Sequence, residues 1–242
     1  MYDFVERFLA RVWLGSTALL PTAHEARRVA SAVKQDSATP MSFQELDASS
    51  GALVNRIGLQ WEGNVYRLLI RGDSIDFEYR TPKEGTPLTF AEYLGEAKIM
   101  LGALAEQMER SASRIAAVQE VILPEMPPDA LDRIGRKLLR VSSTFEQSAL
   151  FEWDWRAFAK VNRAIGNTQE ATNTIGHVKR LTGYLNNESP IDRLRISTDI
   201  NTAPENTHPR LSHQNVREFL EQSVTWHQDL ITELANFMGI ET

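Results

Sequence analysis

Arg133, Arg136, Lys137 and Arg140 recur at i, i+3, i+4 and i+7, the spacing of one helix face. Such a face presents four cations to phosphates or to an acidic partner, and these are the candidate anion- or partner-binding residues. Asp129 and Asp132 stand close enough to neutralise them, as on an ordinary solvated face. No aromatic residue interleaves the stripe, which counts against stacking on single-stranded nucleic acid. Glu152 and Asp154 share one side of an alternating segment. A divalent cation there would need a third ligand that no spacing supplies, so an ion pair with Arg156 is the expected use. Phe151, Trp153 and Trp155 form an aromatic stripe on the other side, expected in the core.

Other arrangements point away from catalysis. Glu96-Ala97-Lys98 has the acid and lysine of a nuclease half-site, but within a helical pattern rather than on a sheet edge. The five histidines are His24, His177, His208, His213 and His227, and none forms an H-E-x-x-H pair. His227 falls on an apolar helix face, where a buried, hydrogen-bonded imidazole is expected. There is no cysteine, which removes thiolate nucleophiles and Cys-ligated metals. No nucleophile elbow, P-loop or dinucleotide-binding glycine pattern occurs. No catalytic residue can be assigned, and neither a metal nor a cofactor is expected.

The chain has 242 residues, 42% of them hydrophobic, with 26 Lys+Arg against 32 Asp+Glu and a net charge of −6. That composition is globular, and its acidity argues against a general nucleic-acid binder. Residues 12–20 are mostly apolar, but Asp3 and Glu6 cancel Arg7 and Arg11 ahead of them, unlike the positive start of a secretory signal. No run approaches the length of a membrane helix. The cytoplasm is the expected compartment.

The elements follow from period and punctuation. Phe4, Val5, Phe8, Leu9 and Val12 predict a helix over 2–13. Thr22 with Glu25 is a capping box that opens a second helix to Val33. The polar stretch 35–50 reads as a loop. Residues 53–61, 65–70 and 75–79 predict a three-stranded meander. Thr89 with Glu92 caps a long helix carrying Leu94, Ala97, Leu101, Leu104 and Met108. A strand over 114–123 precedes the break at Pro124, Pro127 and Pro128. A short helix over 129–139 carries the basic stripe. Strands are expected over 149–161, 175–185 and 191–200, then a polar loop and a helix over 215–238.

This order suggests a duplication. Sliding by 126 residues places Phe90 on Val216, Leu94 on Leu220, Leu104 on Leu230 and the Thr89/Glu92 cap on Asn215/Glu218. The expected fold is therefore α+β, with antiparallel sheets in two pseudo-repeated halves, each backed by a long amphipathic helix, and a helical N-terminus. The halves would be 1–123 and 124–242, or one continuous domain. The meander-plus-helix pattern, with the closing segments 194–200 and 216–239, resembles a sporadically distributed family of uncharacterised bacterial proteins. The resemblance implies no activity and no site residues. It does imply defence-related or toxin–antitoxin surroundings. The expected function is a non-catalytic protein-binding or regulatory role, with another protein as partner and a homo-oligomer compatible with it. The alternatives are a metal-dependent hydrolase or nuclease with scattered acids, and a nucleic-acid sensor using the basic face. An exposed apolar patch would favour the first; a concave cluster of acids or histidines would favour an enzyme.

Overall fold

The computed structural model describes residues 4–15, 22–35, 37–47, 50–82, 86–139, 147–148, 150–185 and 189–240. In chain order the elements are β1 (Phe4–Trp13), α1 (Ala23–Ala32), β2 (Thr39–Leu46), β3 (Leu53–Trp61), β4 (Tyr66–Ile70), β5 (Ser74–Tyr79), α2 (Phe90–Gln107), β6 (Arg114–Ile122), α3 (Pro128–Leu138), β7 (Asp154–Ile165), β8 (Thr168–Leu185), β9 (Ser189–Thr202) and α4 (His213–Met238). The strands form one antiparallel sheet in the order β2-β3-β4-β5-β1-β6-β9-β8-β7. The four helices among the described residues share one face. α2 packs on α4, α1 on α2 and β3, and α3 on α4 and β9.

The expected pair of halves, each with its own helix-backed sheet, is therefore replaced by a single sheet under one helical layer. β6, which lies before the expected boundary, pairs with β1 on one side and with β9 on the other. This pairing satisfies the backbone donors and acceptors that two separate sheets would leave at their inner edges. The long helices make a common layer because they approach closely. At Gly102 of α2 a Cβ would collide with the Arg217 side chain of α4.

The N-terminus is a strand at the centre of that sheet, not a helix. A bulge explains why the spacing imitates one. The register with β6 slips between Val5 and Arg7, so Val5 and Phe8, three apart, both face the helices. From Phe8 onward the alternation is regular, with Phe8, Ala10 and Val12 buried and Arg7, Arg11 and Trp13 on the opposite face. Stretch 35–50 also contains a strand, β2. It is an edge strand, polar because its side chains are only half covered, and an edge tolerates Pro40.

The meander and the Thr89–Glu92 box form as expected, and at α1 only the Thr22 half of the expected box forms. Thr22 accepts from the Glu25 amide, and Thr89 and Glu92 cap each other reciprocally. The last helix begins two residues earlier than expected, with Ser212 and Asn215 as its box. β7 is shifted towards the C-terminus and turns into β8 through Gly166, whose φ of +59° suits a tight hairpin. The core is aromatic where β1, β5 and α2 meet. Phe8, Phe77, Tyr79 and Phe90 each make ring contact with Tyr93, and the Tyr93 hydroxyl donates to the Phe77 carbonyl at 2.5 Å. Among the described residues no helix is long and apolar enough to cross a membrane.

Candidate functional site

α3 places the basic stripe. Pro128 suits its first turn, and Leu131, Ile134 and Leu138 bury one face. The helix lies so close to Trp153 that a Cβ on Gly135 would strike the indole. The cations then diverge. Arg136 pairs with Asp132 at 2.8 Å and donates to the Ser148 carbonyl. Asp132 also accepts from the Leu150 amide at 2.7 Å, and chiefly the Arg136 hydrogen bond holds its carboxyl below the usual range. This pair fastens the chain entering β7. Arg133 and Lys137 are exposed and border a groove with Met126, Ile134 and Met238, where the Lys137 ammonium sits 5.4 Å from the Phe237 ring centre. Arg140 lies outside the described residues. The described part of the stripe is thus divided between a structural ion pair and two solvated cations.

The acidic pair separates as well. Asp154 meets His177 across the β7–β8 ladder, with Nε2 to Oδ1 at 2.7 Å, rather than Arg156. The Arg156 guanidinium lies 4.5 Å from the Phe158 ring centre instead. No group of three His, Asp or Glu among the described residues could hold a metal ion. The aromatic stripe divides too. Trp153 is buried against α3, Trp155 is half-buried, and Phe151 is exposed. His227 is fully buried, with Nδ1 2.7 Å from the Thr198 hydroxyl and Phe90 edge-on at 4.7 Å.

A feature that no spacing announced lies at the β7 end of the sheet. A cleft of about 550 Å³ runs between β7, β8 and α4, with walls of Trp155, Ala157, Val161, Trp226, Leu230 and Leu234. Small residues open it. Ala157 and Ala159 on β7 and Gly176 on β8 hold the strands' side of the cleft low, and a Cβ on Gly176 would already touch Leu234. Its rim is apolar and wet: Phe158 is 64% exposed and Phe237 48%. Arg163 closes one end, 4.8 Å from the Trp226 ring centre and held by the Thr172 and Thr174 hydroxyls at 2.5 and 2.8 Å. Burial lowers its pKa from the ordinary arginine value. Asp229 and Glu233 stand exposed on the helix side.

The cleft adjoins a free sheet edge, since β7 ends the strand order among the described residues. The Trp153 carbonyl accepts from the Arg180 amide at 3.1 Å, so in the β7–β8 ladder the odd-numbered residues turn their amides inward. Asp154, Arg156, Phe158, Lys160 and Asn162 therefore turn theirs outward. This arrangement can bind an extended segment along the edge and bury apolar side chains beside it. No protein-family model and no curated protein matches the chain.

Proposed function

We propose that this protein is a non-catalytic interaction protein that docks another protein on the β7 edge and the α4 cleft. The observation carrying this reading is the exposed apolar cleft beside a strand whose outer edge is unpaired among the described residues. Monomeric proteins rarely leave such a surface without a partner. The acids at its helix side select the partner's chemistry: an apolar segment with a basic residue placed opposite Asp229 and Glu233. The cytoplasm as compartment, and bacterial defence or toxin neutralisation as setting, belong to the same proposal and indicate where the partner is to be sought.

The test compares Phe158→Asp plus Phe237→Asp with a control, Leu53→Asp plus Ile99→Asp. Leu53 and Ile99 are each 64% exposed, away from the cleft. Both pairs should melt near the parent temperature, because surface changes cost little. A protein retained from the organism's own extract by the parent and the control should be retained at least about tenfold less by the cleft variant, a loss of about 1.4 kcal/mol. Equal retention by all three proteins would refute the assignment of this surface.

A further inference from the structure

The sheet face turned away from the helices carries charged residues at alternate positions, and most of them are paired. Arg7 meets Glu120 at 3.0 Å, Arg56 meets Glu45 at 2.8 Å, and Arg11 and Arg71 both grip buried Asp76. Where β1, β6, β9, β8 and β7 lie side by side, this face dips into a trough of about 440 Å³. Four arginines but only two carboxylates line it, in a protein of net charge −6. Glu120 is taken by Arg7, which leaves Asp199 as the other acid.

Arg114 and Arg156 have no carboxylate within ion-pair distance among the described residues. Arg114 is nevertheless fixed. Its Nη2 donates to Asn201 Oδ1 at 3.0 Å, its guanidinium carbon lies 4.3 Å from the Trp13 ring centre, and its Nε is buried with no partner among the described residues. Burial lowers its pKa from the ordinary arginine value. A half-buried guanidinium whose Nε is already unpaired gains from an anion on its remaining donors. Its planar fork matches the oxygens of a tetrahedral oxyanion. Arg156 is exposed on the far wall, and the trough has the size of a small-ligand site.

We infer that this trough binds a tetrahedral dianion, the phosphoryl or sulfuryl group of a small ligand, at Arg114, with Arg156 on the opposite wall adding its charge. Asp199 is the element that would modulate it. Its carboxyl accepts from Asn201 Nδ2 at 2.8 Å, and burial raises its pKa despite Arg114, Arg156 and Arg11 nearby. Ionised, Asp199 repels the anion; protonated, it can donate to it. Binding should therefore weaken as pH rises through the raised pKa. Glu120, engaged by Arg7, and His177, engaged by Asp154, are the other titratable groups on the walls.

Sulfate is the probe, because it stays divalent across pH 4.5–8, and calorimetry or amide-shift titration at low salt is the readout. One saturable site per chain is expected. Arg114→Gln should weaken it about tenfold or more. Arg156→Gln, at an exposed position that leaves the fold unaltered, should weaken it several-fold. Asp199→Asn should tighten it at pH 8 and abolish its pH dependence, while His177→Gln should leave that dependence in place. Inorganic phosphate should compete with sulfate. Absence of saturable sulfate binding, or affinity unchanged in Arg156→Gln, would overturn the inference. So would an oligonucleotide that binds with a multi-charge salt slope while sulfate does not bind.

Discussion

Leu101→Ala is expected to cost about 3–5 kcal/mol of unfolding free energy, and Leu230→Ala about 1 kcal/mol, although both leucines lie on the apolar faces of the two long helices. Leu101 is 1% exposed on α2, which packs on β1, β5 and α4. Truncating it leaves a void that a close-packed core cannot refill. Leu230 is half-buried and lines the α4 cleft, so truncation there enlarges a space already open to water. Chemical denaturation of the two variants measures the difference. Equal losses would mean that the cleft is closed and the layer over β7 as dense as that over β1.

The second large effect is acid sensitivity centred on His227. Complete burial is the main reason its pKa is pushed down to about 3, and the Ala117 backbone, which acts in the opposite sense, does not offset it. The unfolded imidazole titrates near its ordinary value, about 6.5. Between these two values the unfolded state binds the extra proton, so stability is full above the upper value and falls as pH drops towards the lower. At about 1.4 kcal/mol per unit, this one group should remove about 3 kcal/mol between pH 7 and pH 4.5. His227→Gln keeps a partner for the Thr198 hydroxyl, 2.7 Å away, and cannot take up the proton. Carboxylates titrate alike in both proteins, so subtracting the two pH profiles isolates the imidazole. Parallel profiles would contradict the assignment.

Local signals read well where one segment determines its own conformation. The meander over β3, β4 and β5 follows from short β-branched runs between turns, and the Thr89–Glu92 box opens α2 where its capping chemistry places it. His227 is buried as its apolar helix face implies. Signals fail where pairing partners decide. A bulge at Glu6 gives β1 an apparent helical period, and β2 is polar because an edge strand can be. The two-halves reading missed that β1 and β6 pair in the middle of the sheet and that α2 and α4 share one layer. Helix spacing could place Arg133, Arg136 and Lys137 on one side, but not show that Arg136 would turn to Asp132. The cleft and the trough were illegible for a different reason. Each is assembled from alternate residues of strands far apart in the chain. The available hints were Ala157, Ala159 and Gly176, small residues within strands that signal a nearby close approach or an opening.

The central question is whether the β7 edge and α4 cleft are where a partner protein sits. The most direct measurement is photo-crosslinking in living cells, with a photoreactive phenylalanine analogue placed singly at positions 158, 237, 53 and 99. These sites are all exposed, and only the first two border the cleft. The account predicts that positions 158 and 237 yield an adduct of the same mass and that positions 53 and 99 yield none. No adduct at 158 or 237, or equal adducts at all four, would contradict it.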